Sequence, residues 1–87
     1  MTKVFNIHAE KFTQIAATMK AFEKVYSDSI ETMYFGQVPT IVLKEEGGVK
    51  NIFRFTTKEF TPGVESTMDI SDFIKHYFPD PRKNPLA

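Results

Sequence analysis

Between residues 10 and 26 the apolar side chains of Phe12, Ile15, Ala16, Met19, Phe22 and Tyr26 recur three or four positions apart, while Lys11, Gln14, Thr18 and Lys24 lie off that stripe. A period near 3.6 residues gathers such a stripe on one side of a helix, and that side must be buried against the rest of the chain. Little chain is available for it. Eighty-seven residues make one domain, near the size at which a single core only just suffices. Nine of them are Phe, so large aromatic side chains supply much of the buried area.

The remaining segments alternate between strand-like and helix-like runs, with no internal repeat and no low-complexity tract. "VFNI" at residues 4–7 is a short apolar run that predicts a strand. "SDS" at 27–29 breaks the helical pattern, and "IETMYFGQ" at 30–37 can be read as a helix extension, a short helix or a strand; its mix of aromatic and β-branched residues favours a strand or irregular strand. Residues 40–44 and 49–56 read as two strands joined by "EEGG", where Gly47 and Gly48 can take the positive φ of a tight hairpin. Residues 57–65 form a connection marked by Pro62 and Gly63. A second helix is expected at about 68–78, with Ile70, Phe73, Ile74 and Tyr77 as its apolar face. Ser66 with Asp69 has capping-box spacing, and Asp69 can also cap a slightly later start. Pro79 and Pro81 stop that helix. The expected organisation is a globular domain over 1–79 and a loose tail over 80–87. Its fold class is a small α/β domain with a mixed or antiparallel sheet packed by two helices; the alternative is an α+β domain with a three-stranded antiparallel sheet.

Composition rules down several chemistries. With no cysteine there is no disulfide, thiol nucleophile, CxxC pair or cysteine-based metal site. Eleven basic residues balance eleven acidic ones in scattered positions, so no strong field favours nucleic acid or an anionic membrane. The longest apolar runs are far too short to span a bilayer, and the first residues lack a signal-peptide pattern. The expectation is a soluble protein, cytoplasmic or part of an assembled particle. Gly47 and Gly48 lack the spacing and the following Lys-Ser/Thr of a phosphate-binding loop, and no G-x-S-x-G elbow occurs. His8 and His76 stand far apart without a metal-spacing partner. Asp69 with Asp72 belongs to a helix start, and Glu45 with Glu46 to a solvated hairpin tip. Met19 lies on the helix stripe and belongs to the core, while Met33 and Met68 are the candidates for an adaptable surface. No catalytic residue, cofactor or metal is therefore expected, and binding is favoured over catalysis.

Residues 34–78 resemble the C-terminal half of the thioredoxin-like fold. The likeness runs through an aromatic-Gly turn, "VPTIVL", a glycine hairpin, the strand "NIFRF", and "TPGVESTMDISDFIKHY" leading to the last helix. "VPT" before an apolar strand looks like the cis-proline site of that family, which implies a cis bond between Val38 and Pro39 and neighbouring main-chain groups left open to an extended peptide. Where the family carries its redox cysteines this chain has "HAEKF", so His8 and Lys11 occupy roughly those positions. About a dozen residues separate the first helix from Pro39, too few for the family's usual strand, helix and loops. The resemblance thus implies a shortened, redox-inactive module that binds a protein segment or subunit through the Pro39 side or an open sheet edge, with Gln37, Val38, Pro39, Thr40, His8 and Lys11 as the partner-binding residues. Two other functions stand beside it. One is a small structural subunit of a larger assembly, such as a virion. The other is a nucleic-acid-binding sheet centred on Lys50, Phe53 and Arg54, with Phe55 and Lys58 nearby.

Overall fold

A computed structural model describes residues 1–58 and 66–86. Its elements run β1 (Thr2–His8), α1 (Phe12–Tyr26), β2 (Ile30–Tyr34), β3 (Thr40–Leu43), β4 (Lys50–Thr56), β5 (Thr67–Asp69) and α2 (Ile70–Tyr77). Short 3-10 turns at Ser27–Ser29 and Pro81–Lys83 follow α1 and α2. The strands form one five-stranded sheet in the order β2-β3-β4-β1-β5. The sheet is mixed: β1 runs parallel to both β4 and β5, while β3 is antiparallel to β2 and β4. The three-stranded antiparallel alternative is thereby corrected. β1 fills the gap between β4 and β5, and it can run parallel to both because a long stretch of chain, not a hairpin, separates it from each.

Alternation along the strands decides where the core lies. Phe5 and Ile41 stand beside Phe53, and Ile7 stands between Phe55 and Met68, so these six residues share one face of the sheet. Both helices pack there. Phe73 of α2 lies edge-on against Phe53 and Phe55, with ring centroids 5.1 and 5.4 Å away, and Phe22 of α1 meets Phe73 at 5.8 Å. Ile15, Met19, Ile70 and Ile74 complete this core, as both apolar stripes anticipate. The other face of the sheet carries Val4, Ile52, Val42 and Thr32 in one cross-strand row, and Asn6, Arg54, Thr40 and Tyr34 in the next. No helix covers it.

Three local expectations are corrected. α1 begins at Phe12 rather than at residue 10, because Gln14 Oε1 accepts from the main-chain N–H of Glu10 and of Lys11 and so caps the helix there. Thr18, placed off the stripe, is completely buried, and its hydroxyl has no hydrogen-bond partner among the described residues. Ser66 is not the α2 cap. It turns with φ +69° and passes its carbonyl to Asn6 N at 2.8 Å, which leads the chain into β5. Asp69 is the cap, accepting from Ser71 N at 3.1 Å and Ser71 Oγ at 2.7 Å. The hairpin between β3 and β4 closes as expected through Gly47 and Gly48, at φ +59° and +79°, with reciprocal bonds between Glu46 and Val49. Pro62 and Gly63 of the expected connection lie outside the described residues.

Candidate functional site

The segment from Phe35 to Pro39 joins β2 to β3 and lies beside the start of α1. It enters through a close approach: the Tyr34 ring folds into the space a Cβ on Gly36 would occupy. Phe35, 53% exposed, then reaches Phe12, 49% exposed, in an edge-on contact with centroids 5.5 Å apart. Phe12 was expected in the core. It opens α1 beyond the reach of the sheet and lies on the surface instead.

No peptide bond among the described residues is cis, so the cis bond implied between Val38 and Pro39 is corrected to trans. The expectation of open main-chain groups beside the proline is corrected too. Pro39 O accepts from Phe55 N at 2.8 Å, and Thr40 Oγ1 donates to Val38 O at 2.8 Å. Alternation then makes Ile41 bond to β4, which turns the main-chain groups of Thr40 and Val42 towards Tyr34 and Thr32 of β2. The ladder has taken up the polar backbone next to Pro39.

Side chains give this region its chemical character. Gln37, Val38 and Pro39 line a groove of about 340 Å³ together with Asn6, Phe12, Ile15, Thr56, Thr57, Arg54 and Lys58. The groove lies at the C-terminal ends of the parallel strands β1 and β4, where open α/β sheets commonly bind ligands. Its lining combines the apolar Phe12, Ile15, Val38, Pro39 and Phe55 with the cationic Arg54 and Lys58. Among the described residues neither Arg54 nor Lys58 has an acidic partner, whereas Lys50 is held by Glu31 at 2.9 Å and Arg82 by Asp80 at 3.2 Å.

A second depression adjoins the first across Phe35. It measures about 270 Å³ and lies between α1 and β2, lined by Ala16, Met19, Lys20, Glu23, Met33 and Phe35. β2 borders it as an edge strand, paired with β3 alone among the described residues. Since Thr32 and Tyr34 turn their main-chain groups to β3, those of Met33 point outward along the edge. Its side chain points inward, beside Ile41 and the core.

The other sequence-predicted residues stand elsewhere. His8 ends β1 with Nδ1 3.4 Å from Asp69 Oδ1, and Lys11 is the residue before α1; neither lines the Pro39 groove. The Ser71 hydroxyl holds the Asp69 carboxyl below the usual carboxylate range, helped by the Ser71 amide and by His8, against partial desolvation. Phe53 and Phe55 are 4% and 1% exposed beneath the helices, so neither is placed to stack a base beside Lys50 and Arg54. Among the described residues no group of three or more His, Asp or Glu side chains is placed to hold a metal, and no helix is long and apolar enough to cross a membrane. Phe12 and Phe35 are the site residues that sequence reasoning missed. The only signal for Phe12 was its position at the very end of the stripe.

Compared with known proteins, the chain matches no family model, no curated protein and no solved structure.

Proposed function

We propose that this protein is a protein-interaction module that takes up an extended segment of a partner along the free edge of β2. Strand addition of this kind draws affinity from main-chain hydrogen bonds and selectivity from pockets that receive alternate side chains. The position of β2 carries the proposal: its edge offers the N–H and C=O of Met33, and the α1 cleft lies beside the same residue. A side chain of the added strand next to Met33 would enter that cleft, between Ala16 and Phe35. Lys20 and Glu23 on its rim would meet polar groups of either sign. The bulge between Ile30 and Thr32 limits the usable edge to its C-terminal part, a common device against indiscriminate edge pairing.

Selection of peptides from a displayed random library, with the whole chain as bait, tests this. The expected outcome is a consensus with alternating apolar positions that binds the chain and loses about tenfold or more in affinity to a Met33→Pro variant. Proline there removes the outward donor while the bonds of Thr32 and Tyr34 to β3 remain. Circular dichroism shows whether the variant keeps its fold. A consensus that binds a folded Met33→Pro variant equally well, or no consensus at all, rules out the edge.

A further inference from the structure

We infer that the Pro39 groove is a second binding site, independent of the β2 edge, and that it takes a side-chain carboxylate of an acidic peptide segment together with an adjoining apolar side chain. Two features point the same way. The first is charge. Arg54 and Lys58 both line the groove without an acidic partner among the described residues, in a chain whose basic and acidic residues balance overall. Among the described residues no acidic side chain lines the groove, and the first turn of α1 carries none. A carboxylate entering here meets two cations and no acidic side chain among the described residues, and charge-assisted hydrogen bonds are among the strongest available to a peptide.

The second feature is the apolar part of the lining. Phe12 and Val38 are exposed beside Pro39, so an apolar side chain next to the carboxylate would cover surface that water now touches. A groove of about 340 Å³ accommodates one large side chain with its acidic neighbour, which makes the ligand a short element of a segment rather than a folded surface. Placement of the cations is built into the fold. Arg54 stands in the cross-strand row between Asn6 and Thr40, and the turn that presents Lys58 is held by its N–H donating to Thr56 Oγ1 at 3.0 Å. Gln37 and Asn6 add amide groups on either side.

Titration of the isotope-labelled chain with acetyl-Phe-Glu-amide and its uncharged counterpart acetyl-Phe-Gln-amide, followed by amide chemical shifts, tests this. The glutamate probe is expected to move the amides of Phe12, Gln37, Val38, Arg54 and Lys58 and to bind about tenfold more tightly than the glutamine probe. The double variant Arg54→Gln, Lys58→Gln should abolish that difference, because both substitutions remove a positive charge at an exposed position and leave the core untouched. Met33→Pro should leave it intact, which separates failure of this site from failure of the edge. Equal binding of the two probes overturns the inference. So do shifts confined to other residues, persistence of the difference in the double variant, and tighter binding of a single-stranded oligonucleotide at the same amides.

Discussion

Thr18 illustrates how one side chain can sit on the core stripe and still not look as if it belongs there. It lies three residues after Ile15 and four before Phe22, so helical spacing places it between two core residues, yet its hydroxyl reads as a surface group. In the structure it is completely buried and its Oγ1 finds no partner among the described residues. Spacing was the better guide than polarity. An unpartnered buried hydroxyl carries its desolvation penalty without a compensating bond. Valine has nearly the same shape and no such group. Thr18→Val is therefore expected to stabilise the chain by about 1 kcal/mol, read as a higher urea midpoint with an unchanged slope. An unchanged or lower midpoint would show that water reaches the hydroxyl. The Pro39 region was legible at the same scale in part. Gln37, Val38 and Pro39 do share a groove, but the partners that give it chemical character, Phe12 and the Arg54–Lys58 pair, come from distant parts of the chain. No local pattern joins residue 12 to residue 38 or 58.

At the scale of elements, the junction of β5 and α2 concentrates several roles in three residues. Both helices, the hairpin, β1, β3 and β4 were legible, because each carries an apolar run, a period or a turn signal of its own; β2 was favoured over a helix only by its aromatic and β-branched residues. β5 was not legible. It is three residues long, flows directly into α2, and exists only because β1 lies alongside it in parallel register. Asp69 ends this strand, caps α2 and faces His8. Asp69→Ala removes the cap and is expected to cost about 1 kcal/mol, while Asp69→Asn, an equally good cap, should retain most of that stability. The two differ further in acid. A carboxyl held below its unfolded value contributes stability that is fully present above the ordinary aspartate range and is lost as pH falls through the depressed folded value. The native chain should therefore lose stability more steeply than Asp69→Asn as pH drops below about 4. Urea midpoints measured between neutral and acidic pH test the sign; parallel curves would mean that Asp69 has the same affinity for protons folded and unfolded.

At the scale of the whole molecule, the first strand to be made sits between the last ones to arrive. β1 pairs with β4 across Thr2 and Lys50 and with β5 across Asn6 and Thr67, so the centre of the sheet closes only when most of the chain is present. Parallel pairing over such separations leaves no trace in local sequence, which is why the mixed sheet was one of two arrangements left open. What holds these distant pieces is the aromatic cluster, and Phe73 is its hinge. Its ring touches Phe22 of α1, Phe53 and Phe55 of β4, and Tyr77 of its own helix, and it is fully buried. Tyr26 OH donates to the carbonyl of Tyr77, which ties the ends of the two helices together beside this cluster. A chain of this length has a total stability of roughly 4–13 kcal/mol. Phe73→Ala removes transfer energy and leaves a cavity at a point where three elements meet, a loss of about 3–5 kcal/mol. That is comparable to the whole reserve, so the variant is expected to unfold at low urea or without any. Phe73→Leu, which fills much of the space, should remain folded with a lower midpoint. If Phe73→Ala instead lowers the midpoint only slightly, the two helices must be held to the sheet independently, and the cluster does not act as one core.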